Sequence, residues 1–342
     1  MNAFKQLLQS EETILLDGAM GTMLMDAGLE QGNAPELWNV EHPQRVQAVH
    51  DGYIAAGSRL ILTNTFGGTH FRLKLHNVQD RVAELNEAGA RVARLAADAA
   101  EHLVVVAGSM GPTGELIEPL GTMTFEEARD AFAEQAAALA AGGVDLLWIE
   151  TMSDLQEVRA AVEGARAASD LPVAVCMTFD TNRHTMMGVS PQQAAEALSE
   201  MNLAAFGANC GNGTAEIEDV MAIMTGLQVQ TPLIAKSNAG IPRLVDGGLE
   251  YDGTPPVMAG YAYRVQKLGA RLIGGCCGST PVHVRAMNAA LSGETAPETL
   301  PEKAPTPDPT PAQAQSAGAQ NGARNGKRSR RRRERRRSRG RS

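Results

Sequence analysis

Aromatic residues are scarce in this sequence and cysteines scarcer: 2 Trp, 4 Tyr, 7 Phe and 4 Cys in 342 residues. Four cysteines, two of them adjacent, do not make the disulfide framework of a small secreted domain, and the expected compartment is reducing. No Cys-x-x-Cys and no His-x-x-x-His occurs, which excludes a zinc-finger module. No apolar run approaches the roughly 20 residues needed to span a bilayer. The start, Met1-Asn2-Ala3-Phe4-Lys5-Gln6, has no charged segment, apolar core or cleavage site of a signal peptide. The expectation is a soluble, cytoplasmic protein without a membrane partner. The first strand candidate runs into Asp17-Gly18-Ala19-Met20-Gly21-Thr22, which does not match the Gly-x-Gly-x-x-Gly phosphate turn of dinucleotide-binding folds.

What the chain does have is alternation. Apolar runs rich in Val, Ile or Leu recur eight times: Thr13–Asp17, Arg59–Thr63, Leu103–Gly108, Val144–Glu150, Pro172–Thr178, Ala204–Asn209, Pro232–Ser237 and Arg271–Gly274. Stretches with the 3.6-residue apolar period of helices separate them, among them Pro43–Ala56, Asp80–Ala99, Phe125–Ala141 and Leu155–Ala168. Strands that alternate with helices imply a parallel sheet. Eight such units predict an α/β fold of the (β/α)8 TIM-barrel type, with an open doubly wound sheet as the alternative. Active sites of such barrels lie at the C-terminal ends of the strands. Asp17, Asn64, Ser109, Glu150 and Ser237-Asn238 all end predicted strands, and Glu150 stands at the mouth of the apolar run Leu146-Leu147-Trp148-Ile149.

The periodic pattern stops near residue 293, so the predicted barrel domain is 1–293. Residues 294–326 are rich in Pro, Ala and Gln and are expected to be a flexible linker. Residues 327–342 hold eleven Lys or Arg against the single Glu334, a balance of +10 within a chain of net charge −8. The remaining residues thus carry 20 basic and 38 acidic side chains, or −18. The expectation is an acidic barrel with a disordered arginine tail able to contact nucleic acid or an acidic protein surface. No aromatic residue interrupts the run, which argues against base-specific recognition.

Cysteine carries the chemistry. Cys276-Cys277 sit in the cradle Gly274-Gly275-Cys276-Cys277-Gly278 after the eighth strand, and Cys210 sits in Asn209-Cys210-Gly211 after the sixth. Adjacent residues on a regular strand face opposite ways, so Cys276 and Cys277 can serve one site only if the backbone bends there. The flanking glycines permit that bend. Three convergent thiolates suit Zn²⁺ and leave its fourth position open to a substrate, so Cys210, Cys276 and Cys277 are the predicted metal ligands. Cys176, inside Val173-Ala174-Val175-Cys176-Met177, is predicted to be a core residue.

Together with Asp17-Gly18-Ala19-Met20-Gly21-Thr22-Met23, Thr63-Asn64-Thr65-Phe66, Gly108-Ser109-Met110-Gly111-Pro112 and Ile149-Glu150-Thr151, these motifs resemble the zinc-dependent homocysteine S-methyltransferase family over roughly residues 10–292. The resemblance implies a (β/α)8 barrel, Zn²⁺ on Cys210, Cys276 and Cys277, and methyl transfer to homocysteine to give methionine. It further implies that Glu150 and Asp17 face the substrate's ammonium group, while main-chain N–H groups near Ala19 and Met20 take its carboxylate. The motifs are similar to the homocysteine module of cobalamin-dependent methionine synthase and to bacterial betaine–homocysteine methyltransferases. No Asp-x-His-x-x-Gly cobalamin signature is present, so a cobalamin donor would arrive on a separate protein. Betaine or a sulfonium (S-methylmethionine or dimethylsulfoniopropionate) is the alternative donor. Trp38 is the one ring singled out for a cation–π contact with such a donor. A non-catalytic zinc or thiol sensor is the alternative of another class.

Overall fold

In the computed structural model, residues 2–241, 243–245 and 248–303 are described; the arginine tail and most of the predicted linker lie outside them. The strands are β1 (Ile14–Leu15), β2 (Leu60–Leu62), β3 (Val105–Met110), β4 (Leu146–Met152), β5 (Val173–Met177), β6 (Ala205–Cys210), β7 (Leu233–Ser237) and β8 (Leu272–Gly275). The helices that follow them are α1 (Pro43–Ala55), α2 (Val82–Asp98), α3 (Phe125–Ala141), α4 (Leu155–Ala168), α5 (Pro191–Ser199), α6 (Thr214–Gly226), α7 (Pro255–Leu268) and α8 (Pro281–Leu291). Every neighbouring pair of strands is parallel, in the order β1-β8-β7-β6-β5-β4-β3-β2. The last seam closes through a parallel bridge between Leu16 and Leu60, and Arg59 N donates to Leu15 O at 2.8 Å. The fold is the (β/α)8 barrel that the alternation predicts.

Each strand serves two cores. Leu146 and Trp148 of β4, Val105 and Ala107 of β3, Ala174 and Cys176 of β5, and Ile234 of β7 belong to one buried cluster, the barrel interior. Their neighbours Leu147, Ile149, Val106, Val175, Phe206 and Ala235 belong to the larger cluster between sheet and helices. This two-sided burial explains why the strands read as continuous apolar runs. It also fixes direction: two positions beyond Trp148 the inward residue is Glu150, and two beyond Ala107 it is Ser109. Cys176 is fully buried in the interior, as predicted.

Four features depart from the sequence reading. A helix at Ala3–Ser10 places Phe4 and Leu7 in the interior cluster and plugs one end of the barrel. Its eight residues are too few to display a convincing period. β3 and β4 run to Met110 and Met152, and the β4–β5 register shifts between Ile149 and Met152. An antiparallel hairpin, Arg243–Val245 with Gly248–Glu250, separates β7 from α7. Residues 294–303, assigned to the linker, pack on the barrel: Arg264 Nη1 donates to Pro301 O at 2.6 Å, and Lys303 pairs with Asp219. Among the described residues no helix is long and apolar enough to cross a membrane.

Candidate active site

The three predicted ligands meet on the C-terminal face of the barrel, with all three sulfurs within 4.8 Å of one another. The Cys210 and Cys276 sulfurs are 3.1 Å apart. Local backbone chemistry brings them there. Cys210 ends β6 with φ 61°, left-handed backbone that turns its sulfur out of the strand's alternation. After β8 the chain bends: Ser279 N donates to Cys276 O at 3.1 Å, and Gly278 takes φ 78° with the Tyr251 ring packed where a side chain would go. That turn lets two consecutive cysteines face one centre. Asn238 clamps the two loops together, donating from Nδ2 to Gly211 O at 2.8 Å and accepting from Cys277 N on Oδ1 at 3.0 Å.

Thiolates on zinc at bond lengths of about 2.3 Å and tetrahedral angles stand about 3.8 Å apart. One sulfur pair here stands at 3.1 Å and all lie within 4.8 Å, a spread compatible with that value. The donor set therefore fits a soft, tetrahedral ion with one position left for a fourth ligand. S–H donation from Cys210 and Cys276 holds the Cys277 thiol below its ordinary value, favouring a thiolate there.

A polar layer lies beside the cluster, at the top of the barrel interior. Glu150 is 7% exposed; Ser109 Oγ donates to its Oε1 at 2.6 Å, and Asn209 Nδ2 approaches Oε2 at 3.5 Å. Burial pushes the Glu150 carboxyl up to about 7. Asn209 also holds the end of β4, accepting from Thr151 N at 2.9 Å and donating to Thr151 Oγ1 at 2.8 Å. Thr151 has φ 64°, unusual for a β-branched residue and consistent with strain held by these two bonds. Asp17 is 3% exposed, accepts from Leu62 N on Oδ2 at 2.7 Å, and places Oδ1 3.1 Å from Lys236 Nζ.

Not every predicted residue is free for the role implied. The Ala19 amide donates to Ser279 O at 2.9 Å and is already used. Asn64 turns away, donating to Pro35 O and Asn39 Oδ1. Trp38 is buried, with the Arg45 guanidinium 5.0 Å from its ring centroid, so its face is covered by a residue of this chain. The aromatic ring at the thiol loop is Tyr251, whose phenol is pushed up to about 12 by burial and by the Cys277 charge.

Three residues of the site were missed. Lys236 signalled itself only as a lysine within the apolar run Leu233-Ile234-Ala235. Tyr53, on α1, is fully buried with its hydroxyl 2.6 Å from Ala19 O and 2.7 Å from Ser279 O, tying the β1 loop to the cysteine loop. Neither Tyr53 nor Tyr251 lies in a motif that points to the site.

Known proteins resemble this chain in sequence and fold. The family model described as Homocysteine S-methyltransferase matches residues 14–291. The methionine synthases of Mycobacterium leprae and Mycobacterium tuberculosis are 34% and 33% identical to the chain over 300 residues, which is 83% of this chain. The chain spans 24% and 25% of the length of those two relatives. The crystal structure of the homocysteine methyltransferase MmuM from Escherichia coli, in its metallated form, is similar with a TM-score of 0.71 and 26% identity. That match covers 84% of this chain and 99% of that one.

Proposed function

Because the chain belongs to the homocysteine S-methyltransferase family, whose enzymes place a methyl group on the sulfur of homocysteine, we propose that it forms methionine at a Zn²⁺ held by Cys210, Cys276 and Cys277. The observation that carries this reading is the convergence of three sulfurs within 4.8 Å on the C-terminal face of the barrel. When bound, Zn²⁺ would supply Lewis acidity that lowers the pKa of the incoming thiol, so that its proton passes to solvent and the sulfur stays nucleophilic at neutral pH.

The chain's own residues bind and aim the substrate. Glu150 and Asp17 are the carboxylates on the side of the ammonium group. The Met20 amide and the first turn of the helix Gly21–Asp26 offer main-chain donors to the substrate carboxylate. Ser109 and Asn209 fix the Glu150 carboxylate in rotation. The sulfur then attacks the donor's methyl carbon in line. A sulfur–carbon bond forms, and the bond from methyl to donor breaks with its electron pair left on the donor.

The donor in this reading is methylcobalamin carried by a separate protein, as in a split methionine synthase. Support comes from the two methionine synthases, to which this chain is similar over 300 residues. Direct use of betaine or a sulfonium is the second reading. It is favoured by the match to nearly the full chain of the E. coli homocysteine methyltransferase and by the Tyr251 ring beside the cysteine loop.

Zinc-loaded protein is to be incubated with homocysteine and, in separate reactions, methylcobalamin, betaine, S-methylmethionine or dimethylsulfoniopropionate, with methionine read by mass spectrometry. Methionine from methylcobalamin is the expected result. Methionine from betaine or a sulfonium alone overturns the cobalamin reading, and homocysteine binding without turnover on any donor leaves the sensor.

A further inference from the structure

A buried lysine without a role in the chemistry above stands inside the barrel. Lys236 follows Ile234 on the inward face of β7 and is 3% exposed. In the sheet it pairs with Asn209 on one side and with Gly274 on the other. Gly274 has no side chain to block the path from β7 to β1; a Cβ there would lie 2.6 Å from the Leu16 Cβ and 2.9 Å from Asp17 O. The Lys236 side chain crosses over this gap and puts Nζ 3.1 Å from Asp17 Oδ1 and 3.3 Å from Gly18 O. The other carboxylate oxygen of Asp17 takes Leu62 N at 2.7 Å, across the β1–β2 seam. Burial works against the Lys236 charge, but Asp17 and, after it, Cys276 and Glu150 hold the ammonium above its ordinary value.

We propose that Lys236 is a positioning residue of the substrate pocket: its ammonium fixes the Asp17 carboxylate and offsets its charge, so that Glu150 is left to pair with the ammonium group of homocysteine. This rests on the reading of the site as a homocysteine site. Asp17, Glu150 and Lys236 sum to one negative charge, matched to one substrate cation. Without Lys236, two carboxylates would share a buried site with nothing to offset the second. Buried like charges are resolved by protonation or by rearrangement, and either spoils the recognition of a cation. Lys236 acts through Asp17 and touches neither the methyl group nor the sulfur that receives it.

The test is homocysteine binding by calorimetry to the zinc-loaded full-length chain, which needs no methyl donor. Wild-type protein that binds no homocysteine fails the underlying reading before any variant is compared. With binding established, K236M is expected to lose about ten-fold or more in homocysteine affinity while keeping one zinc per chain, the scale of an unpaired buried charge. The single variant D17N leaves the Lys236 ammonium to compete for Glu150, and the double variant D17N/K236M removes that competitor, so the double variant is expected to bind homocysteine at least as tightly as D17N does. A K236M protein that is less stable but binds homocysteine as wild type does shows a purely structural latch and overturns the proposal. So does a K236M substitution that costs about ten-fold or more in the D17N background, where no Asp17 charge is left to offset. Should K236M not fold, the comparison of D17N/K236M with D17N decides the matter.

Discussion

Replacing Glu150 by Gln should make the protein more stable at alkaline pH and poorer at holding homocysteine. The carboxyl is almost fully buried, and burial raises it from 4.5 to about 7. Below pH 4.5 it is protonated in both the folded and the unfolded chain and costs nothing. As the pH rises, the unfolded chain releases the proton first, and stability falls until the folded-state group has ionised near pH 7. The span corresponds to about 3 kcal/mol, the cost of keeping an ionised carboxylate in the pocket at pH 8. Glu150→Gln keeps an oxygen to accept from Ser109 Oγ and removes the charge. Urea unfolding at pH 5 and pH 8 should therefore show a fall for wild type that flattens by about that amount in the variant. Homocysteine affinity should drop by about 2–5 kcal/mol, the range for one lost partner of a buried charge pair, while zinc content is unchanged. A variant that binds homocysteine as wild type does and retains the pH-dependent fall would refute both the placement of the charge and its role.

Three further outcomes are expected. Changing Cys210, Cys276 or Cys277 singly to Ala should abolish most bound zinc and turnover, read by metal analysis and the methionine assay, while far-UV circular dichroism stays native because the sulfurs sit on a rim. Gly274→Ala should destabilise the fold by about 1–3 kcal/mol in urea, because its new methyl would press on the Leu16 Cβ and Asp17 O where β8 meets β1; a neutral effect would mean that the seam is looser than these distances imply. Truncation after Lys303, beyond the segment that packs on Arg264 and Asp219, should leave zinc content and methyl transfer from a small donor intact. The change should appear in salt-dependent association with acidic partners, measured by binding at low and high ionic strength.

Much of this was legible in the linear sequence. The eight units follow from apolar runs that alternate with helical periods, because a strand buried on both faces must be apolar throughout and each crossover must bury one stripe of a helix. The thiol set was legible because glycine-flanked cysteines at the ends of two strands of a parallel barrel can only lie on one face. The charge in the pocket was not. Lys236 meets Asp17 because β7, β8 and β1 are neighbours with a glycine between them, a fact of register that joins opposite ends of the chain. Tyr53 reaches Ala19 and Ser279 from a helix whose pattern signals only burial. The segment 294–303 looked like linker because its contacts are main-chain and charged, not periodic and apolar. Residue type and strand position thus determined which chemistry this chain can hold. Tertiary register decided which charges are paired, and so what remains to hold a substrate, because buried electrostatics depends on distances of a few ångströms between elements that the sequence keeps far apart.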